Sequence, residues 1–205
     1  MSVLAGAALV VTGCGTSSAT GESPVRIQTP AATTPVKGDP LDPPITMPAA
    51  TLTDTAGKPY DLRARTKGRI TLLFIGFTHC EDVCPTTMAD IAQALRKLPA
   101  AERNEISVVF VTADPWRDTP RVIRRWLDNF DRSFIGLTGS YPTLRRFAKA
   151  CHVFIAPPSG RSGDYQIQHG AQTLIFDRDH EARELFTANP TPADLAHDLR
   201  YTLKS

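Results

Sequence analysis

The most informative stretch of this sequence is Ile70-Thr71-Leu72-Leu73-Phe74-Ile75-Gly76-Phe77-Thr78-His79-Cys80-Glu81-Asp82-Val83-Cys84-Pro85. Its first eight residues form a nearly continuous apolar run, which predicts a central strand covered on both faces. Pro85 suits the first turn of a helix, and apolar residues at helical spacing continue to about Leu98. The stretch therefore predicts a buried strand, a short loop that carries two cysteines, and a helix.

Strand-like and helix-like patterns alternate on both sides of this stretch. A hairpin is predicted at residues 52–60, around an Ala56-Gly57 turn. Further strands are predicted at residues 106–112, 134–137, 173–176 and 182–186, and further helices at residues 120–130, 141–150 and 191–203. This alternation predicts an α/β domain in which a central sheet is flanked by helices, with functional groups at the carboxyl ends of strands.

Composition and charge indicate one domain that does not bind nucleic acid. The chain has 205 residues, of which 41% are hydrophobic, enough for one core. Its 23 basic and 21 acidic residues give a net charge of +2, whereas binding a row of phosphates requires a strong basic excess. Residues 15–46 are rich in Pro, Thr and Ala and predict a disordered tether, which leaves residues 47–205 as the folded domain.

The first 14 residues are typical of a signal peptide. Residues 3–11 are apolar or small, too few to span a bilayer but sufficient for a signal-peptide core. Val11-Thr12-Gly13-Cys14 resembles a bacterial lipoprotein cleavage site, in which Cys14 becomes the lipidated first residue. We therefore expect a lipid-anchored protein on the extracytoplasmic face of a bacterial cell membrane. No Lys or Arg precedes Cys14, and a plain hydrophobic N-terminus is the alternative.

Cys80 and Cys84 are candidate metal ligands. A helix start lowers the pKa of nearby thiols, and a spacing of four lets both sulfurs face one point. Thiolates favour copper(I) or zinc. His169 is the candidate third ligand, because it precedes a predicted core strand that should return beside the strand before Cys80. The alternatives are a structural disulfide or two inert buried thiols, and a loop histidine that is satisfied by backbone.

Three separated motifs resemble the Sco/SenC family of copper chaperones. They are Gly76-Phe77-Thr78-His79-Cys80 with Val83-Cys84-Pro85, then Asp114-Pro115-Trp116-Arg117-Asp118-Thr119-Pro120, and Asp164-Tyr165 with His169. The resemblance spans roughly residues 47–205. It implies a thioredoxin-like fold with an N-terminal β-hairpin, and copper(I) or copper(II) held by Cys80, Cys84 and His169. It also implies a role in building the binuclear copper site of cytochrome c oxidase, with the copper-site subunit as partner; we expect a monomer.

The chain departs from the family pattern at two positions. Glu81 stands where the family usually has proline, and Cys151 is an additional thiol. Cys151 follows apolar residues at helical spacing, so we expect a buried, inert side chain that binds no metal. Asp114 either forms an Asp-Pro turn or orients the ligand loop. Asp118 and Thr119 are interpreted as helix caps.

The leading functional hypothesis is a metallochaperone and not an enzyme. The alternative is a thiol-disulfide oxidoreductase that acts through Cys80 and Cys84. The Cys-x-x-x-Cys spacing and the presence of His169, where the thioredoxin group has proline, disfavour that alternative, although one protein can combine both activities. A peroxiredoxin-type peroxidase is disfavoured by the residues around Cys80, and a surface module with a passive disulfide would take up no metal after reduction.

Overall fold

The computed structural model describes residues 26–27, 35–157, 165–187 and 190–205. Within these residues, nine strands form one sheet in the order β1-β2-β9-β8-β5-β6-β7-β3-β4. The strands are β1 (Arg26–Ile27), β2 (Asp39–Thr46), β3 (Thr51–Asp54), β4 (Pro59–Asp61), β5 (Ile70–Gly76), β6 (Ile106–Thr112), β7 (Ile135–Thr138), β8 (Thr173–Phe176) and β9 (Glu181–Phe186). The helices are α1 (Leu62–Thr66), α2 (Val83–Arg96), α3 (Ala100–Arg103), α4 (Pro120–Leu127), α5 (Tyr141–Ala150) and α6 (Pro192–Lys204).

The centre of the sheet has the mixed topology of a thioredoxin-like fold. Strands β5, β6 and β7 are parallel, whereas β8 runs antiparallel to β5. Every residue of β5 and β6 is buried, which requires cover on both faces of the sheet. Helix α2 packs against α6, and α4 packs against β7. The hairpin of β3 and β4 lies at one edge of the sheet. The predicted sheet flanked by helices and the N-terminal hairpin are confirmed.

The helix starts follow from local sequence. Thr119, Ser140 and Thr191 are the N-caps of α4, α5 and α6, and their side-chain oxygens accept hydrogen bonds from backbone N–H groups. Each of these helices also has proline in its first turn, where the missing N–H costs nothing. The predicted cap at Thr119 is confirmed. The short helices α1 and α3 have no counterpart in the sequence prediction.

The assignment of residues 15–46 to a disordered tether is wrong at its carboxyl end. Strand β2 occupies Asp39–Thr46 and pairs with β9. Its Leu41 and Ile45 side chains are buried in the core, and this apolar contribution was concealed by the prolines around them. The folded region therefore begins at or before Asp39, not at residue 47. Cys14 and the predicted signal peptide lie outside the described residues.

No helix in the described parts of the chain has both the length and the apolar character needed to cross a bilayer.

Candidate metal centre

Sheet topology brings the two cysteines and His169 to one end of the domain. The cysteine loop, residues 77–82, leaves the carboxyl end of β5 and leads into α2. Strand β8 runs antiparallel to β5, with Thr173 paired to Phe74, so the residues just before β8 lie near that same end. His169 is one of them, as the predicted strand arrangement required.

Two distances describe how the three predicted ligands lie relative to one another. Cys84 Sγ lies 3.7 Å from His169 Nε2, and the backbone N–H of Cys84 donates to Cys80 Sγ over 3.4 Å. Cys80 and Cys84 are both free thiols. Over the described ranges, no three His, Cys, Asp or Glu side chains are already grouped to hold a metal ion. The side chains of Cys84 and His169 therefore already lie side by side, and we call them the preset pair. The Cys80 sulfur lies beside the Cys84 backbone.

The orientation of His169 directs one ring nitrogen towards the thiol. Nδ1 lies 2.8 Å from the Gly170 carbonyl oxygen, so this nitrogen carries the proton and donates, which leaves a lone pair on Nε2. Burial lowers the pKa of His169, although the Gly170 carbonyl opposes this effect. The Phe77 ring meets the imidazole edge to face, with 5.6 Å between ring centroids. His169 is thus held as a neutral imidazole that faces Cys84.

The pKa of Cys84 differs from the sequence expectation. A helix start was expected to lower it, but burial raises the pKa of the Cys84 thiol well above its usual value. The Phe77 backbone opposes this shift, whereas the neighbouring Cys80 adds to it. The side chain is completely buried, and desolvation of a thiolate outweighs the helix field. A metal ion at Cys84 would therefore have to displace a proton.

Asp114 connects the loop after β6 to the segment before His169. Its buried carboxylate accepts hydrogen bonds from the Tyr165 hydroxyl, over 2.8 Å, and from Arg117 Nε. Arg117 also donates to the Tyr165 carbonyl oxygen over 2.8 Å, and its guanidinium carbon lies 3.6 Å from the Tyr165 ring centroid. These contacts support the orienting role considered for Asp114, together with a local turn in which Arg117 N–H donates to its carboxylate.

Asp118 is a site residue that sequence reasoning missed. It was interpreted as a helix cap, but its buried carboxylate accepts hydrogen bonds from Thr112 Oγ1 over 2.6 Å and from Thr78 N over 3.0 Å. Burial raises its pKa, and these hydrogen bonds oppose that shift. Asp118 therefore fastens the cysteine loop to the end of β6. It also lies 3.6 Å from His79 Nδ1. Only its place in the Asp114–Pro120 motif could have indicated this role.

Cys151 does not belong to the cysteine loop, and its surroundings differ from those of Cys80 and Cys84. It ends α5, is buried in the core, and is a free thiol. Burial raises its pKa, which keeps the side chain protonated and unreactive. The predicted burial is confirmed.

Comparisons with known proteins agree on one family. The SCO1/SenC family model matches residues 39–204. The "Putative copper-binding protein" of Stutzerimonas stutzeri is 36% identical over 137 residues, or 67% of each chain. The structure of Bradyrhizobium japonicum ScoI with copper bound is 32% identical, has a TM-score of 0.66, and covers 78% of this chain and 97% of its own.

The apo Sco1 protein of Thermus thermophilus has a TM-score of 0.73 at 31% identity, over 83% of this chain and 99% of its own. Two other curated relatives are longer, and the chain spans only 51% and 42% of their lengths. The family match covers almost the whole described region, and it includes the cysteine loop, the Asp114 loop and His169. This chain therefore belongs to the SCO1/SenC family.

Proposed function

We propose that this protein is a copper metallochaperone. It holds one copper ion between Cys80, Cys84 and His169, and delivers the ion to, or prepares, the binuclear copper site of cytochrome c oxidase. The observation that carries the proposal is the 3.7 Å separation of Cys84 Sγ and His169 Nε2. The Sco family is one of cytochrome c oxidase assembly proteins, and the related ScoI binds copper.

The donor set suits copper. Two thiolates and a neutral imidazole are soft or borderline ligands, which favour copper over magnesium or calcium. The 3.7 Å distance between Cys84 Sγ and His169 Nε2 is shorter than the sum of one metal–sulfur and one metal–imidazole bond, about 4.3 Å for zinc, so one ion could contact both atoms.

The partly exposed Cys80 makes copper binding at this site reversible. Cys80 is partly exposed, whereas Cys84 is buried, so the Cys80 side chain can turn towards the preset pair when copper arrives. A three-ligand site that includes one accessible sulfur leaves an open side from which a partner protein can take the ion. Asp114 and Tyr165 position the His169 segment, and Asp118 positions the cysteine loop.

The proposal includes an anchor and a partner. Cys14 carries the lipid that holds the protein on the extracytoplasmic face of a bacterial cell membrane, and the recipient is the copper-site subunit of the oxidase. The chain acts as a monomer. Support for the anchor comes from the lipobox-like sequence that ends at Cys14.

Copper(I) binding by ligand variants tests the site. The reduced protein is loaded with copper(I), and stoichiometry and affinity are compared for wild type, Cys80→Ala, Cys84→Ala and His169→Ala. Each substitution should lower the affinity by about 100-fold or more, because it removes a ligand. Cys151→Ala is the matched control and should bind copper as the wild type does. Unchanged binding by His169→Ala would refute the proposed site.

A thiol-disulfide reductase is the second candidate, favoured by the unequal exposure of the two thiols. Cys80 is the accessible sulfur of the pair, and it accepts a hydrogen bond from the Cys84 N–H. As a thiolate, Cys80 would attack a partner disulfide and release one partner thiol. Cys84 would then attack Cys80 Sγ, which releases the second partner thiol and leaves a Cys80–Cys84 disulfide. Reductase turnover that survives His169→Ala, with copper binding lost, would assign this activity.

A further inference from the structure

A pocket lined by arginines lies at the end of the domain opposite the cysteines. Its volume is about 770 Å³, and its arginine side chains are those of Arg65, Arg69, Arg96 and Arg103. We call it the arginine pocket. Residues at the starts of β6 and β7 also line it, whereas Cys80 follows the carboxyl end of β5. Seven residues of β5 separate the two ends by roughly 20 Å.

We propose that the arginine pocket binds a small phosphate-bearing anion. Four arginines line it: Arg65 and Arg69 lie close together in sequence, and Arg96 and Arg103 end α2 and α3. They face one carboxylate, that of Asp131, so the lining residues carry a formal charge of +3. The Asp131 carboxylate already accepts hydrogen bonds from Ser133 N and Ser133 Oγ, over 2.8 and 2.7 Å. The positive charge of the pocket is therefore not balanced by its own lining.

Two of the arginines are held in place. Arg69 Nε donates to Ser107 Oγ over 2.7 Å, and its NH2 group donates to the Ile106 carbonyl oxygen over 2.9 Å. The guanidinium of Arg65 lies 5.3 Å from the Tyr60 ring centroid. A guanidinium has five donors in a fixed plane, so Arg69 keeps donors free for a ligand without needing to move.

The other two arginines lack a protein partner. Across the described residues, the side chains of Arg96 and Arg103 make no hydrogen bond or ion pair. The acidic residues beside Arg103 in sequence are engaged elsewhere: Glu102 pairs with Arg200, and Glu105 pairs with Arg178. Helix dipoles explain a basic residue at the ends of α2 and α3. They do not explain why both side chains share one concavity with Arg65 and Arg69.

The chemistry of the pocket identifies the class of ligand. Guanidinium groups match the oxygen geometry of phosphate, which they bind through two parallel hydrogen bonds. Leu95, Val108 and Ile135 supply apolar wall beside the arginines, and the volume lies within the range of about 300–1,000 Å³ typical of small-molecule sites. A phosphate joined to a partly apolar body fits both features. Such a group could come from a free phosphate compound or from a phospholipid headgroup.

The test compares two double variants in the full-length chain, with Cys14→Ser in every sample to prevent lipidation. Arg96→Gln/Arg103→Gln removes the two unpaired arginines of the pocket. Arg121→Gln/Arg125→Gln is the matched control, because it removes the same charge from two exposed arginines of α4 that do not line the arginine pocket. Pyrophosphate binding is measured by calorimetry, and vesicle binding is measured by co-sedimentation with phosphatidylglycerol or phosphatidylcholine.

We expect the pocket variant to lose at least about tenfold in affinity for pyrophosphate or for phosphatidylglycerol vesicles, while the control binds as the wild type does. Loss of pyrophosphate binding assigns a free phosphate compound, and loss confined to phosphatidylglycerol assigns a lipid headgroup. Equal losses in the two double variants, or no wild-type binding to either probe, would overturn the proposal. Copper(I) affinity should be the same in all samples, so this outcome is independent of the copper site.

Discussion

Substitution of Gly76 by alanine tests the candidate metal centre through packing alone. Gly76 ends β5, directly before the cysteine loop. A Cβ atom at this position would lie 2.8 Å from Phe74 Cε1, 2.9 Å from Cys84 Sγ and 3.3 Å from Phe110 Cε2. Apolar contacts are optimal at about 3.5–4.0 Å, so the added methyl group would push the Cys84 sulfur away from its present position.

Gly76→Ala should change both the free energy of unfolding and the copper(I) affinity. Overpacking in a core costs about 1–3 kcal/mol, and the lower chain entropy of unfolded alanine offsets up to about 1 kcal/mol of this. We therefore expect Gly76→Ala to lower the free energy of unfolding by about 1–2 kcal/mol. Displacement of a ligand atom should lower metal affinity. Loss of residues that position metal ligands typically lowers affinity by about 10–100-fold, and we expect a similar fall in copper(I) affinity.

The assay combines thermal unfolding with competitive copper(I) titration of the folded protein. Gly139→Ala is the matched control, because its added Cβ would be 3.6 Å from the nearest atom, Leu52 Cδ2, which is an ordinary contact. This control should keep both stability and copper affinity. If Gly76→Ala loses stability as expected but binds copper(I) as tightly as the control, the Cys84 sulfur does not bind copper from its observed position.

Two further substitutions test other parts of the structure. Tyr165→Phe removes the hydrogen bond to Asp114 and should weaken copper(I) binding about tenfold, measured by the same titration; wild-type affinity would contradict an orienting role for Asp114. Burial, and secondarily the charge of Asp198, raises the pKa of Glu184 to about 8, well above its ordinary value of 4.5. Its proton is therefore held more tightly in the folded state, so this residue should make stability fall as pH rises from about 4.5 to about 8. Glu184→Gln should flatten that decline and stabilise the protein by about 1–3 kcal/mol at pH 8, whereas an equal pH dependence of chemical unfolding in variant and wild type would show that Glu184 is not responsible.

The local elements of the fold were predictable from sequence because they depend on neighbouring residues. The apolar run Ile70–Phe77 indicated the central strand, and Thr119 followed by Pro120 indicated the start of α4. The prediction failed at β2, because its prolines indicated a tether. The apolar residues Leu41 and Ile45 identify a strand only once they pack in the core beside β9. Average composition over a window could not separate this proline-rich strand from a tether.

The three candidate ligands could be selected from the sequence, but the electrostatics of the site and the contact of Asp118 with the cysteine loop could not. Residue type and spacing selected Cys80 and Cys84, and the expected return of a strand selected His169. Tertiary structure alone determined that burial raises the pKa of Cys84, and that the Asp118 carboxylate fastens the cysteine loop. Desolvation and contacts across the sheet depend on segments far apart in the chain, and these segments meet only when the protein folds.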